Sequence, residues 1–168
     1  MKLQAIVYSS VTGFTAQYAQ LLSAKTGLPA YTLAQAQQTL PKGARVLYMS
    51  WLMAGTLVDY KKAAAAFEVA AACSVGLNAT PEQAEATKKS MKLRHDLPFF
   101  ALQGGYRPDK LQGMYKWMMK LVTRVIIKKI EALPQKGAAE EEMLRVLRNG
   151  GSFVKEENLS NVLAFLQE

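Results

Sequence analysis

The sequence predicts an α/β fold: a doubly wound, five-stranded parallel sheet covered by helices on both faces, in three layers α/β/α. Three observations carry that expectation. Apolar strand-like runs alternate with helical stretches along the whole chain. The runs are continuous rather than alternating, as suits strands buried on both faces. The first run feeds a short loop of small and hydroxyl residues that opens directly into a helix. At 168 residues, half of them apolar and a fifth charged, the chain is long enough to bury a full core, and it reads as a single domain, 1–168.

Residues 3–8 read as the first buried strand. Residues 15–25 follow as a helix, with Ala16, Ala19 and Leu22 spaced for one face, Gly27 as its stop and Pro29 beyond it. A short strand over 30–33 and a turn at Pro41-Lys42-Gly43 lead to a continuous apolar strand over 44–50. A loop is expected from Ser50 to Thr56. The spacing of Tyr60, Ala63, Phe67 and Ala70 then predicts a helix over 59–72, followed by a third long strand over 73–77. Residues 82–92 make a polar helix and 98–103 a further strand, closed by Gly104-Gly105. A long helix over 114–130 and shorter ones over 140–147 and 158–166 complete the chain, the last two separated by Asn149-Gly150-Gly151.

The opening strand, loop and helix form a ready anion site. Backbone N–H groups at a helix start lack internal partners, and the helix dipole favours negative charge there. Ser9, Ser10, Thr12 and Thr15 add hydroxyl donors, and Gly13 lets the backbone approach a ligand closely. The loop has no lysine and a single glycine, so it is neither the nucleotide-triphosphate type nor the dinucleotide type. A loop without cations suits the dianionic phosphate of a monoester.

Ser10-Val11-Thr12-Gly13-Phe14-Thr15 resembles the phosphate loop of the flavodoxins, Ser/Thr-x-Thr-Gly-x-Thr. The resemblance implies the flavodoxin-like strand order 2-1-3-4-5 and FMN as cofactor, its phosphate held by residues Ser9, Ser10, Val11, Thr12, Gly13, Phe14 and Thr15. The ring would then lie against the loops after the strands at 44–50 and 73–77. Trp51 offers a stacking face, Leu52 and Met53 exclude water, and the Ala54-Gly55 peptide is a candidate to flip toward the ring. Leu77, Asn78 and Ala79 would face the pyrimidine edge. Many flavodoxins place an aromatic and acids in this second loop; here there are none, which leaves one ring face open to a substrate.

The second half narrows the resemblance. Phe99-Phe100-Ala101-Leu102-Gln103-Gly104-Gly105-Tyr106, followed by Leu111-Gln112-Gly113-Met114-Tyr115-Lys116-Trp117-Met118-Met119-Lys120-Leu121, is similar to the menaquinone-dependent protoporphyrinogen dehydrogenases, a flavodoxin-like family of heme biosynthesis. The likeness runs to about Lys129. It implies an FMN-dependent oxidoreductase that oxidises a porphyrinogen-like anionic tetrapyrrole and passes electrons to a quinone. Gly105, Tyr106 and Arg107 are substrate-side candidates. No catalytic side chain is required, since the flavin itself reacts. A one-electron carrier flavodoxin and a non-catalytic interaction domain are the rival readings.

The formal net charge is +8. A cation about 10 Å from a reduced flavin anion favours that anion by roughly 0.4–1.7 kcal/mol, so a basic chain fits a less reducing flavin than an acidic carrier has. In the long helix, Tyr115, Met118, Met119, Val122, Val125 and Ile126 form the face expected to pack on the sheet. Met114, Trp117 and Leu121 widen the apolar arc, and Lys110, Lys116, Lys120, Arg124, Lys128 and Lys129 surround it. That pattern over 114–130 suits an anionic membrane surface, an anionic tetrapyrrole, or a thick core helix covered by a C-terminal helix. No nucleic-acid motif accompanies the charge. His95, the one histidine, reads as a surface residue, and a metal site or catalytic triad has no support. The lone Cys73 excludes an internal disulfide. With no leader-like or spanning run, the expected location is the cytoplasm, peripheral at the inner membrane face.

Overall fold

The continuous apolar runs become the strands of one sheet, because a strand flanked by helices on both faces can bury every side chain it carries. The computed structural model describes residues 2–167. In chain order the elements are β1 (Ala5–Ser9), α1 (Phe14–Thr26), β2 (Ala30–Thr32), α2 (Leu33–Thr39), β3 (Arg45–Met53) and β4 (Thr56–Leu57). Then come α3 (Tyr60–Ala66), β5 (Glu68–Gly76), α4 (Pro81–Ser90), β6 (Phe99–Gln103), β7 (Gly105–Tyr106) and α5 (Gly113–Glu131). The chain ends with α6 (Ala138–Asn149), β8 (Gly151–Ser152), a 3-10 turn over Glu156–Leu159, and α7 (Ser160–Gln167).

These elements form two compact units. The first runs to Gly104 and resumes at Val154. Its sheet has the order β2-β1-β3-β5-β6, with every neighbour on that path parallel, and β4 folds back antiparallel on β3. The pleat sorts the core into two clusters. Ala5, Val7, Val46, Tyr48 and Ala72 join Leu33 and Ala36 of α2 and Ala63 of α3. Ile6, Leu47, Met49, Cys73 and Val75 join Phe14, Tyr18, Ala19 and Leu22 of α1 and Val162 of α7. The unit is therefore an α/β fold with a mostly parallel sheet and an apolar core on each face of it.

The second unit, Gly105–Phe153, contains β7, α5, α6 and β8. β7 and β8 pair antiparallel, and Gly151 packs so tightly on α6 that a Cβ there would stand 2.8 Å from Val146 Cγ2. Among the described residues, no helix is long and apolar enough to cross a membrane.

Three expectations change. The helix predicted over 59–72 ends at Ala66, and β5 begins at Glu68. The Ala66 carbonyl accepts the Gly43 N–H at 2.8 Å, and the Glu68 N–H donates to Ala44 at 3.0 Å, so pairing with the β3 side captures the chain before the alanine run can extend the helix. The loop predicted from Ser50 to Thr56 is instead the end of β3, a two-residue turn and β4. Ala54 and Gly55 carry positive φ, 48° and 74°, which matches the twist of a tight hairpin. Finally, the face of α5 expected against the sheet is not buried: in α5 only Thr123 is, while Tyr115, Val122 and Val125 are exposed. Helical periodicity locates an apolar face but does not say what covers it.

Candidate functional site

The candidate site lies at the carboxyl ends of β1, β3 and β5 in the first unit. From β1 the chain crosses to β2 on one side and then returns past β1 to β3 on the other. Helices leave in opposite directions at such a reversal and open a crevice above the strand ends.

The loop after β1 closes on itself at Gly13, where φ is 93° and the N–H donates to the Ser10 hydroxyl at 3.2 Å. Gly13 is the N-cap of α1 and has no side chain to cap it, and the first turn holds no acid. The thirteen-residue α1 therefore presents a positive end whose donors are main-chain N–H groups and neutral hydroxyls. Thr12 is half-buried, Val11 exposed, and Phe14 and Thr15 are buried as α1 packs down. Ser9 takes another course: its hydroxyl lies 3.1 Å from that of Tyr48 and donates to Asp59 at 3.5 Å.

That Ser9 contact belongs to a second set of groups that sequence reading misses. Tyr48 donates to the Val58 carbonyl at 2.7 Å, and Asp59 pairs with Lys62 at 2.8 Å. Burial pushes the Tyr48 phenol up, an effect eased by hydrogen bonds from Ser9 and Ser50 and reinforced by the Asp59 charge. Asp59 holds the Lys62 ammonium above its ordinary value through their hydrogen bond. The set ties the start of α3 to β1 and β3.

The ring-side candidates fall into two groups. Trp51, Leu52 and Met53 are half-buried at the end of β3, with Trp51 opposite Val75 in the ladder. Leu52 packs against the α2–α3 face of the sheet. Ala54 and Gly55 form the exposed hairpin turn, where the Gly55 carbonyl accepts from the Ser90 hydroxyl at 3.1 Å. After β5, Leu77 is half-buried while Asn78 and Ala79 are exposed. The Leu77 carbonyl accepts from the Gln103 amide at 3.0 Å, the Gln103 carbonyl from the Tyr18 hydroxyl at 2.5 Å, and Tyr18 from the Asn158 amide at 2.6 Å. This chain of bonds holds the β5 loop in place from beneath.

Gln83 is the residue the sequence does not announce. Its Oε1 is buried without a hydrogen-bond partner among the described residues. A Cβ built on Gly76 would stand 4.0 Å from its Nε2 and 3.6 Å from Leu52 Cδ1, so the amide sits where β3 and β5 end. The segment Thr80-Pro81-Glu82-Gln83 has the spacing of a capping box. Thr80 does accept from the Gln83 N–H, at 3.2 Å, but the bond that would return the Gln83 side chain to the backbone is not made.

Gly105, Tyr106 and Arg107 lie in the second unit, where Gly105 and Tyr106 form β7 and Tyr106 is buried. Comparison with known proteins returns no matching family model, no matching curated protein and no matching solved structure.

Proposed function

We propose that the first unit binds FMN and that the protein is a flavodoxin-like oxidoreductase of the protoporphyrinogen-to-quinone type. One observation carries the reading: α1 starts at Gly13, which has no side chain to cap it, and holds no acid in its first turn, at the carboxyl end of the strand where the sheet order reverses. The order β2-β1-β3-β5-β6 supports it, being 2-1-3-4-5 once the hairpin strand β4 is set aside.

The residues present fit the cofactor. Ser10, Thr12 and the first N–H groups of α1 are donors suited to a phosphate dianion. Trp51, Leu52, Met53 and the Leu77–Ala79 loop give the ring an apolar edge, and the orphaned Gln83 Oε1 is an acceptor suited to a ring N–H. Once bound, the flavin supplies two-electron redox chemistry. The chain's own part is to anchor the phosphate, hold the ring plane and keep water from one side of it.

The test starts with the absorbance spectrum of the purified protein and a fluorescence titration with FMN. Stoichiometric binding, with the Thr12→Val variant weaker by about 10- to 100-fold, is the expected result, matching the loss of one hydrogen bond to a charged group. Unchanged affinity overturns the phosphate assignment. Quinone-dependent oxidation of a porphyrinogen then distinguishes the enzyme from a one-electron carrier, which binds flavin without that turnover. No flavin binding leaves the scaffold as an interaction domain.

A further inference from the structure

The α5 helix has two apolar sides. Thr123 is buried, Met119, Ile127 and Ile130 are half-buried, and α5 packs on α6 within the second unit. Yet Met114, Trp117, Leu121 and Val125 are 77, 67, 43 and 53 % exposed. Their spacing of three, four and four residues sets them in one row along the helix. Lys116, Lys120, Arg124 and Lys128 recur every fourth residue in an oblique basic row beside it, and Lys129 adds to its C-terminal end. From Gly113 to Ile130 there is no acid; Glu131, the first, is taken by Arg148 of α6.

We propose that the Met114-Trp117-Leu121-Val125 row is a docking surface for an anionic lipid bilayer, on which α5 lies flat with its cations among the headgroups. Lys and Arg can rest their methylene stems on the apolar row and extend their charges to phosphates. Tryptophan suits the boundary between headgroup and acyl chain. With its cations this helix does not cross a bilayer, and it is among those too polar to span. Charge also selects among occupants. A second copy of the chain would bring two basic rows together, where like charges oppose association, whereas anionic lipid complements them.

The experiment is co-sedimentation of the full chain with vesicles of phosphatidylcholine alone or mixed with phosphatidylglycerol. Binding to the mixed vesicles only, weakening as salt rises from ~0.1 to ~1 M, is expected. Lys120→Gln and Arg124→Gln should each lower the partition coefficient about fivefold. Trp117→Gln combined with Leu121→Gln should abolish binding without moving the thermal midpoint, since both side chains are exposed. Lipids brominated on the acyl chain should quench fluorescence in the parent protein and not in Trp117→Phe. Absence of binding, equal binding to neutral vesicles, or binding indifferent to the paired substitution overturns the proposal. So does a lipid-free dimer that those substitutions dissociate, which would assign the row to a second copy. No readout involves flavin, so the proposal stands or falls separately from the FMN site.

Discussion

Gly104 lies against Val75 so closely that a Cβ on it would stand 2.8 Å from Val75 Cγ1, with Phe14 Cβ at 3.4 Å. Its N–H donates to the Gly76 carbonyl at 2.7 Å, so the backbone has no room to withdraw without losing a bond. The contact joins the end of β6 to the end of β5 and to the first residue of α1. Gly104→Ala should destabilise the fold by about 1–3 kcal/mol, the usual cost of overpacking. Gly76→Ala is the control: its Cβ would meet nothing nearer than 3.5 Å, which is ordinary contact, and its effect should stay within about 0.5 kcal/mol. Urea midpoints of both variants decide it; equal midpoints would show that Val75 simply turns aside.

The same core makes the protein sensitive to alkali. Burial raises the phenols of Tyr18, Tyr48 and Tyr60 above their ordinary 10.0 and the Cys73 thiol above its ordinary 9.0. In the unfolded chain these groups release protons at the ordinary values; in the folded chain they keep them longer. The unfolded state is therefore favoured progressively as pH approaches and passes the ordinary values, while below about pH 8 the contribution to stability is complete. Urea midpoints should hold level to about pH 8 and fall beyond it. Cys73→Ala should remove the earliest part of that fall and leave the part belonging to the phenols. A midpoint that stays level to about pH 10.5 would show the thiol and the phenols titrating as they do in water.

Much of this architecture is legible in the sequence, and the places where it is not share a cause. Continuous runs such as Ile6-Val7 and Val46-Leu47-Tyr48 announce buried parallel strands because no competing element buries every position. The run Ala63 to Ala72 does not, because alanine satisfies a helix and a doubly covered strand equally. What decides is the partner: Ala44 and Gly43 bond across to Glu68 and Ala66, a tertiary fact that no local window contains. The hairpin at Ala54-Gly55 hides for a related reason, since alanine at a φ of 48° is an unusual turn residue and only Gly55 signals the turn. The turn from β1 into α1 is readable because strand, loop and helix start are adjacent in sequence. The Tyr48–Ser9 contact and the placing of Gln83 are not, since both join elements far apart along the chain.

Gln83 also supports a prediction that separates binding from folding. A buried acceptor without a partner costs roughly 1–3 kcal/mol, and a fold tolerates it where a ligand completes the bond. If Gln83 Oε1 is kept for a ring N–H of FMN, removing it has opposite effects in the two states of the protein. Gln83→Leu should leave the flavin-free protein as stable as the parent, or more stable by up to about 2 kcal/mol, because the orphaned oxygen is gone. The same substitution should weaken FMN binding by about tenfold, since the ring donor then enters the crevice unpaired. Gln83→Glu keeps an acceptor but adds charge near the ring, and should lower affinity for the reduced flavin more than for the oxidised form. Urea denaturation without flavin, paired with fluorescence titration, measures both arms. A Gln83→Leu protein that is less stable yet binds FMN with parental affinity would make the side chain a support of α4 and remove it from the cofactor site.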